Sequence, residues 1–154
     1  MPRTRLPSVA VLTGVMVWAA SLVLYLSTMA PTLTWGYDNL GVDGGELLAA
    51  ASTLGIPHPP GYPTYILMLR FFASVVSIGD FAFRGNLLSS ITASLSVALL
   101  YCVILRFCRS QRSSGSETIH VTSALLGASV FGSSPMFWAH ATMTEVYALN
   151  ALFC

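Results

Sequence analysis

At 154 residues, with 55% hydrophobic and 8% charged side chains and a mean hydropathy of +0.71, the sequence is too apolar for a free soluble domain. Such a domain carries about 25% charged residues to wet its surface. Seven Arg and no Lys against six acids leave a net charge of +1, which excludes a nucleic-acid-binding surface built on charge density. The expected class is an all-α, multi-pass membrane protein.

A span needs about 20 apolar residues to cross roughly 30 Å of hydrocarbon. Ser8 to Met29 qualifies, uncharged and preceded by Arg3 and Arg5. Its apolar run is longer than a signal-peptide core, so it reads as an anchor and not a cleaved leader. Pro31 stops this helix, and Trp35 to Tyr37 suit an aromatic interface belt. Asp43-Gly44-Gly45-Glu46 opens a short helical run, Leu47 to Leu54, closed by Gly55. Ile56 to Pro63 contains four prolines, each of which pushes its predecessor out of the α region, and predicts a rigid extended turn. Thr64 to Ile78 is apolar, short for a span, and has Arg70 at its centre. Gly85 to Leu105, between Arg84 and Arg106, is the second span, and Ser110 to Glu117 a polar loop. The third span is expected over 119–136, and a fourth segment runs 146–154. The chain stops at Cys154 within an apolar run, which suggests a truncated product. Cys102, Cys108 and Cys154 lie in or beside apolar runs and offer neither a paired framework nor metal spacing.

Arginine placement decides how Thr64 to Ile78 lies. If it spans, Arg106, Arg109 and Arg112 fall outside while Arg3 and Arg5 are inside. If it lies along the outer interface, all five are cytoplasmic and Asp38, Asp43, Glu46, Asp80 and Glu145 are outside. The positive-inside rule favours the second arrangement. The N-terminus is then cytoplasmic, and one long outside loop covers 30–84.

The polar residues gather on that outer side. Asp43 and Glu46 share a helical face, and the same spacing also suits a capping box. The glycines between them favour close approach by a ligand. His58 and Tyr62 sit in the rigid Pro-His-Pro-Pro-Gly-Tyr-Pro loop, which either preorganises recognition or merely seats the next helix. Arg70 and Arg84 can anchor at the interface by snorkelling or meet a phosphate as a planar fork. Glu145 follows the third span beside His140 and Tyr147, where it could also simply favour a helix dipole. His120 reads as structural, and Asp38 and Asp80 as solvated loop charges.

Ala30-Pro31-Thr32-Leu33-Thr34, Val42-Asp43-Gly44-Gly45-Glu46-Leu47 and Leu54-Gly55-Ile56-Pro57-His58-Pro59-Pro60-Gly61-Tyr62-Pro63 together resemble a known membrane family. Arg84-Gly85-Asn86-Leu87-Leu88-Ser89 and the stretch from Phe137-Trp138-Ala139-His140 to Glu145-Val146-Tyr147-Ala148-Leu149-Asn150 add two further blocks. The family includes the eukaryotic transmembrane protein O-mannosyltransferases of the GT-C superfamily and bacterial homologues long without a function. Gly44, where Ser is expected, and Gly85, where an aliphatic residue is more usual, depart from its pattern.

The resemblance implies the N-terminal part of a GT-C-type helical bundle, with two juxtamembrane helices in its first outside loop. It implies transfer of a sugar, such as mannose, from a polyprenyl-phosphate donor to a hydroxyl of a protein or glycan acceptor by an inverting displacement. Asp43 is then the base, Glu46 its supporting acid and Glu145 the second acid. His58, Tyr62 and Arg84 position or neutralise the donor phosphate. Some members use a divalent metal and others none, and the sequence offers no closed ligand set. In a bacterium such a protein lies in the plasma membrane. Two other classes compete: a transporter or channel piece, which intramembrane ionisable residues would mark, and a non-catalytic fragment.

Overall fold

The computed structural model describes residues 8–34, 42–110 and 116–154, and its regular structure is helical throughout. In chain order the helices are α1 (Ser8–Thr28), α2 (Val42–Thr53), α3 (Pro63–Val75), α4 (Phe81–Ser110), α5 (Glu117–Gly132), α6 (Pro135–Ala141) and α7 (Val146–Phe153). Arg3, Arg5, the Trp35–Tyr37 stretch, Asp38 and Arg112 lie outside the described residues.

α4 is the axis. Its 30 residues make a rod roughly 45 Å long, longer than the hydrocarbon layer. Along most of that length it packs with α1 and α5 around Ala10, Val17, Tyr25, Ala93, Val97, Tyr101, Ala124 and Ala128. Helices in lipid gain little from hydrophobicity against one another, so small residues and inter-helix hydrogen bonds must hold them. Both devices are present. A Cβ on Gly132 would lie 3.0 Å from Val97 and 3.2 Å from the Tyr25 hydroxyl. Tyr25 donates that hydroxyl to the Gly132 carbonyl at 2.7 Å, and Tyr101 donates to Ala10 at 3.0 Å. The outward faces carry exposed Leu12, Met16, Val23, Phe107, Leu126 and Val130, which suits a lipid solvent. α1 and α4 are each long and apolar enough to cross a membrane.

A second cluster caps the N-terminal end of α4. Leu47, Leu48 and Ala51 of α2 meet Tyr65, Ile66 and Leu69 of α3, with Leu88 and Leu149 beneath them. The 13 residues of α3 span only about 20 Å, too short to cross. Its other face exposes Leu67, Phe71 and Val75.

The expected third span is not one helix. α5 ends at Gly132, and Pro135 opens α6 after Ser133 and Ser134. Proline lacks the N–H that a continuing helix needs and drives Ser134 extended (φ −64°, ψ 135°). The proline loop is likewise tighter than expected. Gly61 donates its N–H to the His58 carbonyl at 2.9 Å, and Gly61 and Tyr62 take φ of 85° and 42°. Asp80 is an exposed loop charge, as expected, with a further role. It caps α4 by accepting the Phe83 N–H and also accepts the Thr32 hydroxyl, each at 2.6 Å.

One polar seam fixes the N-terminal end of α4. Asn86, buried in the second turn of α4, donates from Nδ2 to the carbonyls of Ala30 (2.9 Å) and Thr32 (3.0 Å). Its Oδ1 accepts the Thr144 hydroxyl at 2.7 Å. Ser90 donates to the Ala141 carbonyl at 2.8 Å, and Ala30 N–H to Thr142 at 3.0 Å. Asn86→Leu would leave two carbonyls and a hydroxyl unpaired, at about 1–3 kcal/mol for each buried group. Thermal unfolding in detergent should show a loss of at least ~2 kcal/mol. Thr92→Val, which removes only bonds to Leu88 and Ser89 within its own helix, should change it by under ~1 kcal/mol.

Candidate active site

The first turn of α2 and the proline loop meet through a single imidazole. His58 gives its backbone N–H to Glu46 Oε1 at 2.7 Å, and its Nδ1 contacts Glu46 Oε2 at 2.8 Å. Both carboxylate oxygens of Glu46 thus face the loop, and the capping-box role is not the one it performs. His58 Nε2 points to Asp43 Oδ2 at 3.7 Å. Glu46 is held below the usual carboxylate range, chiefly by the bond from the His58 ring and then by the His58 N–H. His58 is raised, first by that bond and then by the charges of Asp43, Glu46 and Glu145. Asp43 and His58 keep 44% and 36% of their side chains exposed, so the cluster opens to solvent. The rings of His58 and Tyr62 meet edge to face, 5.5 Å between centroids.

Glu145 reaches the same cluster from the far end of the chain. The segment before α7 is pressed between α2 and α4. A Cβ on Gly44 would lie 3.0 Å from the Thr144 carbonyl, and one on Gly85 would lie 2.4 Å from the Thr144 hydroxyl. Both glycine departures from the family pattern therefore fall where two helices approach that segment. Glu145 itself is 2% exposed, and its Oε2 has no hydrogen-bond partner. Its backbone is fixed by Ser89, whose hydroxyl accepts the Glu145 N–H at 3.3 Å. Burial first, then the nearby Asp43 charge, push its carboxyl up to about 7, against the Val146 N–H and His58.

The structure brings Asp43, Glu46, His58, Tyr62 and Glu145 together. Arg84 goes elsewhere. Its Nε donates to Ile78 (3.1 Å), Nη1 to Ala73 (3.0 Å) and Nη2 to Gly79 (3.1 Å), so its fork closes the end of α3 onto α4. Arg70 similarly donates to the Ser52 carbonyl at 3.0 Å, tying α3 to α2. Arg109 pairs with Glu117 at the opposite end, beside His120. Among the described residues no group of three or more His, Cys, Asp or Glu is arranged to hold a metal ion.

Sequence reasoning passed over Asn86, Ser89 and Tyr65. The first two carried a signal: Asn86, Ser89 and Ser90 fall at i, i+3 and i+4 at the start of an apolar helix, one polar stripe on one face. Tyr65 carried none, since an aromatic residue in an apolar helix reads as core.

Glu145 supplies a direct test. Between its ordinary 4.5 and about 7, the folded chain holds a proton that the unfolded chain has released, so stability falls as pH rises through that window. Infrared difference spectra of the full-length protein should show a protonated-carboxyl band that disappears with a midpoint near 7. The band should be missing in Glu145→Gln. Asp43→Asn removes a neighbouring negative charge and should move the midpoint down.

Residues 43–154 match the family described as the protein O-mannosyl-transferase TMEM260 N-terminal domain. The protein O-mannosyl-transferase TMEM260 of Mus musculus is 34% identical over 134 residues, 86% of this chain and 18% of that protein. Its namesake in Dictyostelium discoideum is 24% identical over 141 residues, 90% of this chain and 15% of that protein. The chain thus spans under a fifth of these relatives' length. No solved structure matches it. On the extent of the family match, the chain belongs to the TMEM260 N-terminal domain family of membrane O-mannosyltransferase-like proteins.

Proposed function

We propose that this chain is the N-terminal, site-bearing part of a multi-pass GT-C membrane glycosyltransferase, with its N-terminus cytoplasmic and 30–84 outside. It transfers a mannosyl group from a polyprenyl-phosphate donor to a protein hydroxyl at the outer surface. The observation that carries the reading is the meeting of Asp43, Glu46, His58 and Glu145 at one rim, from segments a hundred residues apart in sequence. An inverting displacement needs one carboxylate free to take a proton and within hydrogen-bond reach of the acceptor. Asp43 suits that role: it is exposed, and its nearest cation stands 3.7 Å away. It removes the acceptor proton as the acceptor oxygen bonds to the anomeric carbon. The bond from that carbon to phosphate breaks, and the electron pair leaves with polyprenyl phosphate. Glu46 fixes His58, and His58 carries the positive charge next to the developing phosphate. Tyr62 braces the imidazole, while Arg84, bonded to the Ile78, Ala73 and Gly79 carbonyls, holds the end of α3 on α4.

Sugar transfer by the full-length protein is the test. Asp43→Asn keeps the shape but not the base, and should lower turnover by about 10²-fold or more at normal expression. Glu46→Gln should lower it less, because the His58 N–H keeps an acceptor. Arg84→Lys should lower the melting temperature in detergent, since an ammonium cannot reproduce the three bonds to Ile78, Ala73 and Gly79, and leave the donor KM unchanged. Full activity in Asp43→Asn rejects the reading. For topology, Cys102, Cys108 and Cys154 are first replaced. Single cysteines at Ser52 and Ser77 should then label from outside, and one at Ser116 only from the cytoplasm.

A further inference from the structure

Thr144 is buried in the link between α6 and α7, and the proposed displacement gives it no part. It stands where two helices come closest to that link. Its carbonyl lies 3.0 Å from where a Cβ on Gly44 of α2 would be, so backbone meets backbone there with no side chain between. Its hydroxyl and methyl occupy the space that a Cβ on Gly85 of α4 would fill. The hydroxyl is not free to turn away, because it donates to Asn86 Oδ1 at 2.7 Å. One residue thus meets α2 with its backbone and α4 with its side chain.

Chain continuity makes this contact matter for the acids. Gly44 follows Asp43, and Thr144 precedes Glu145. The approach of Gly44 to Thr144 therefore fixes the backbone of one acid against that of the other, whatever the charge between them. Glu145 has few other holds. Its N–H donates to Ser89 at 3.3 Å, a long bond, and its Oε2 has no partner to anchor the side chain. We propose that Thr144 is a positioning residue: wedged between Gly44 and Gly85 and bonded to Asn86, it sets where Glu145 stands relative to Asp43. It touches no substrate and acts through Glu145 alone. This rests on the proposed glycosyl transfer, with Asp43 as the base and Glu145 as the second acid.

Turnover and infrared spectra of the full-length protein test the assignment. Thr144→Val keeps the volume and loses the hydroxyl, whereas Thr144→Ser keeps the hydroxyl. Gly85→Ala leaves Thr144 intact and displaces it from the α4 side. Ser90→Ala removes the bond to Ala141 in the same seam without touching Thr144, a control for lost stability. Thr144→Val and Gly85→Ala should lower kcat by about 10- to 100-fold, the cost of roughly 1 Å of misplacement. In both, the released Glu145 reaches water, and the midpoint of its carboxyl band should fall from about 7 toward 4.5. Thr144→Ser and Ser90→Ala should keep kcat within about threefold of wild type and the midpoint in place. Glu145→Gln should also lower kcat, and adding Thr144→Val to it should cost less than about threefold more, because the two residues act as a unit. Wild-type midpoints and turnover in Thr144→Val and Gly85→Ala overturn the proposal. So do an equal loss in Ser90→Ala and losses that multiply in the double variant. If Asp43→Asn or Glu145→Gln transfers sugar at the wild-type rate, the transfer reading fails, and the infrared midpoints alone decide whether Thr144 positions Glu145.

Discussion

The side-chain amide of Asn86 is the bond point on which the half of the molecule around the start of α4 depends. A primary amide has two protons to give and an oxygen that accepts, and all are engaged here across three segments of chain. The loop after α1 and the loop before α7 are both drawn onto the same turn of α4, and they bond to each other through Ala30 and Thr142. No local rule of helix formation brings these segments together. Inside an apolar bundle an unmade amide bond is costly, so the arrangement is specified sharply. With Thr144 fixed, the next residue, Glu145, has little freedom left.

The acids of the site are set apart by environment, not by identity. Glu46 is half exposed and bonded by the His58 ring and backbone N–H, which hold its carboxyl below the usual range. Glu145 is buried and unpaired beside Asp43, so it keeps its proton to about 7. The two carboxyls are pushed to opposite sides of the ordinary carboxylate range, the pattern by which one site can hold both an acid and a base. His58 is the hinge of this division. It neutralises Glu46 directly and Asp43 at longer range, and so leaves the Asp43 carboxylate exposed and lightly held.

Much of this was legible in the residues, and the gaps have physical causes. Apolar runs bounded by arginine gave α1 and α4 closely, because length and charge alone decide whether a helix suits lipid. The fifteen-residue segment with a central Arg70 folds as a helix of 13 residues, Pro63–Val75, within the bounds its apolar run suggests. The reading of 119–136 as one helix underweighted Pro135, whose missing N–H outranks the hydropathy of its neighbours. Spacing could not separate a capping box from a catalytic pair at Asp43 and Glu46. That both oxygens of Glu46 turn to His58 is a tertiary fact, which spacing does not carry. Arg84 was ambiguous for a similar reason: the carbonyls at the end of α3 compete with any phosphate, and they are already within reach. Tyr65 was invisible because burial of a phenol without a partner leaves no trace in periodicity.

An unpartnered buried carboxyl and phenol are a standing cost to the fold, and something must hold them where relaxation would find them water. The two glycines explain how. At Gly44 and Gly85 a side chain would push α2 or α4 away from Thr144, and the opening would admit solvent to Glu145. Close approach excludes that water, and the Asn86 and Ser89 bonds keep the segment from shifting to satisfy its own acid. The stability given by the seam is therefore tied to the strain left in the site: bonds that are complete at Asn86 keep those at Tyr65 and Glu145 incomplete. Natural folds keep such unmet polar groups mainly where a ligand completes them, and here they stand beside the half-exposed Asp43 carboxylate.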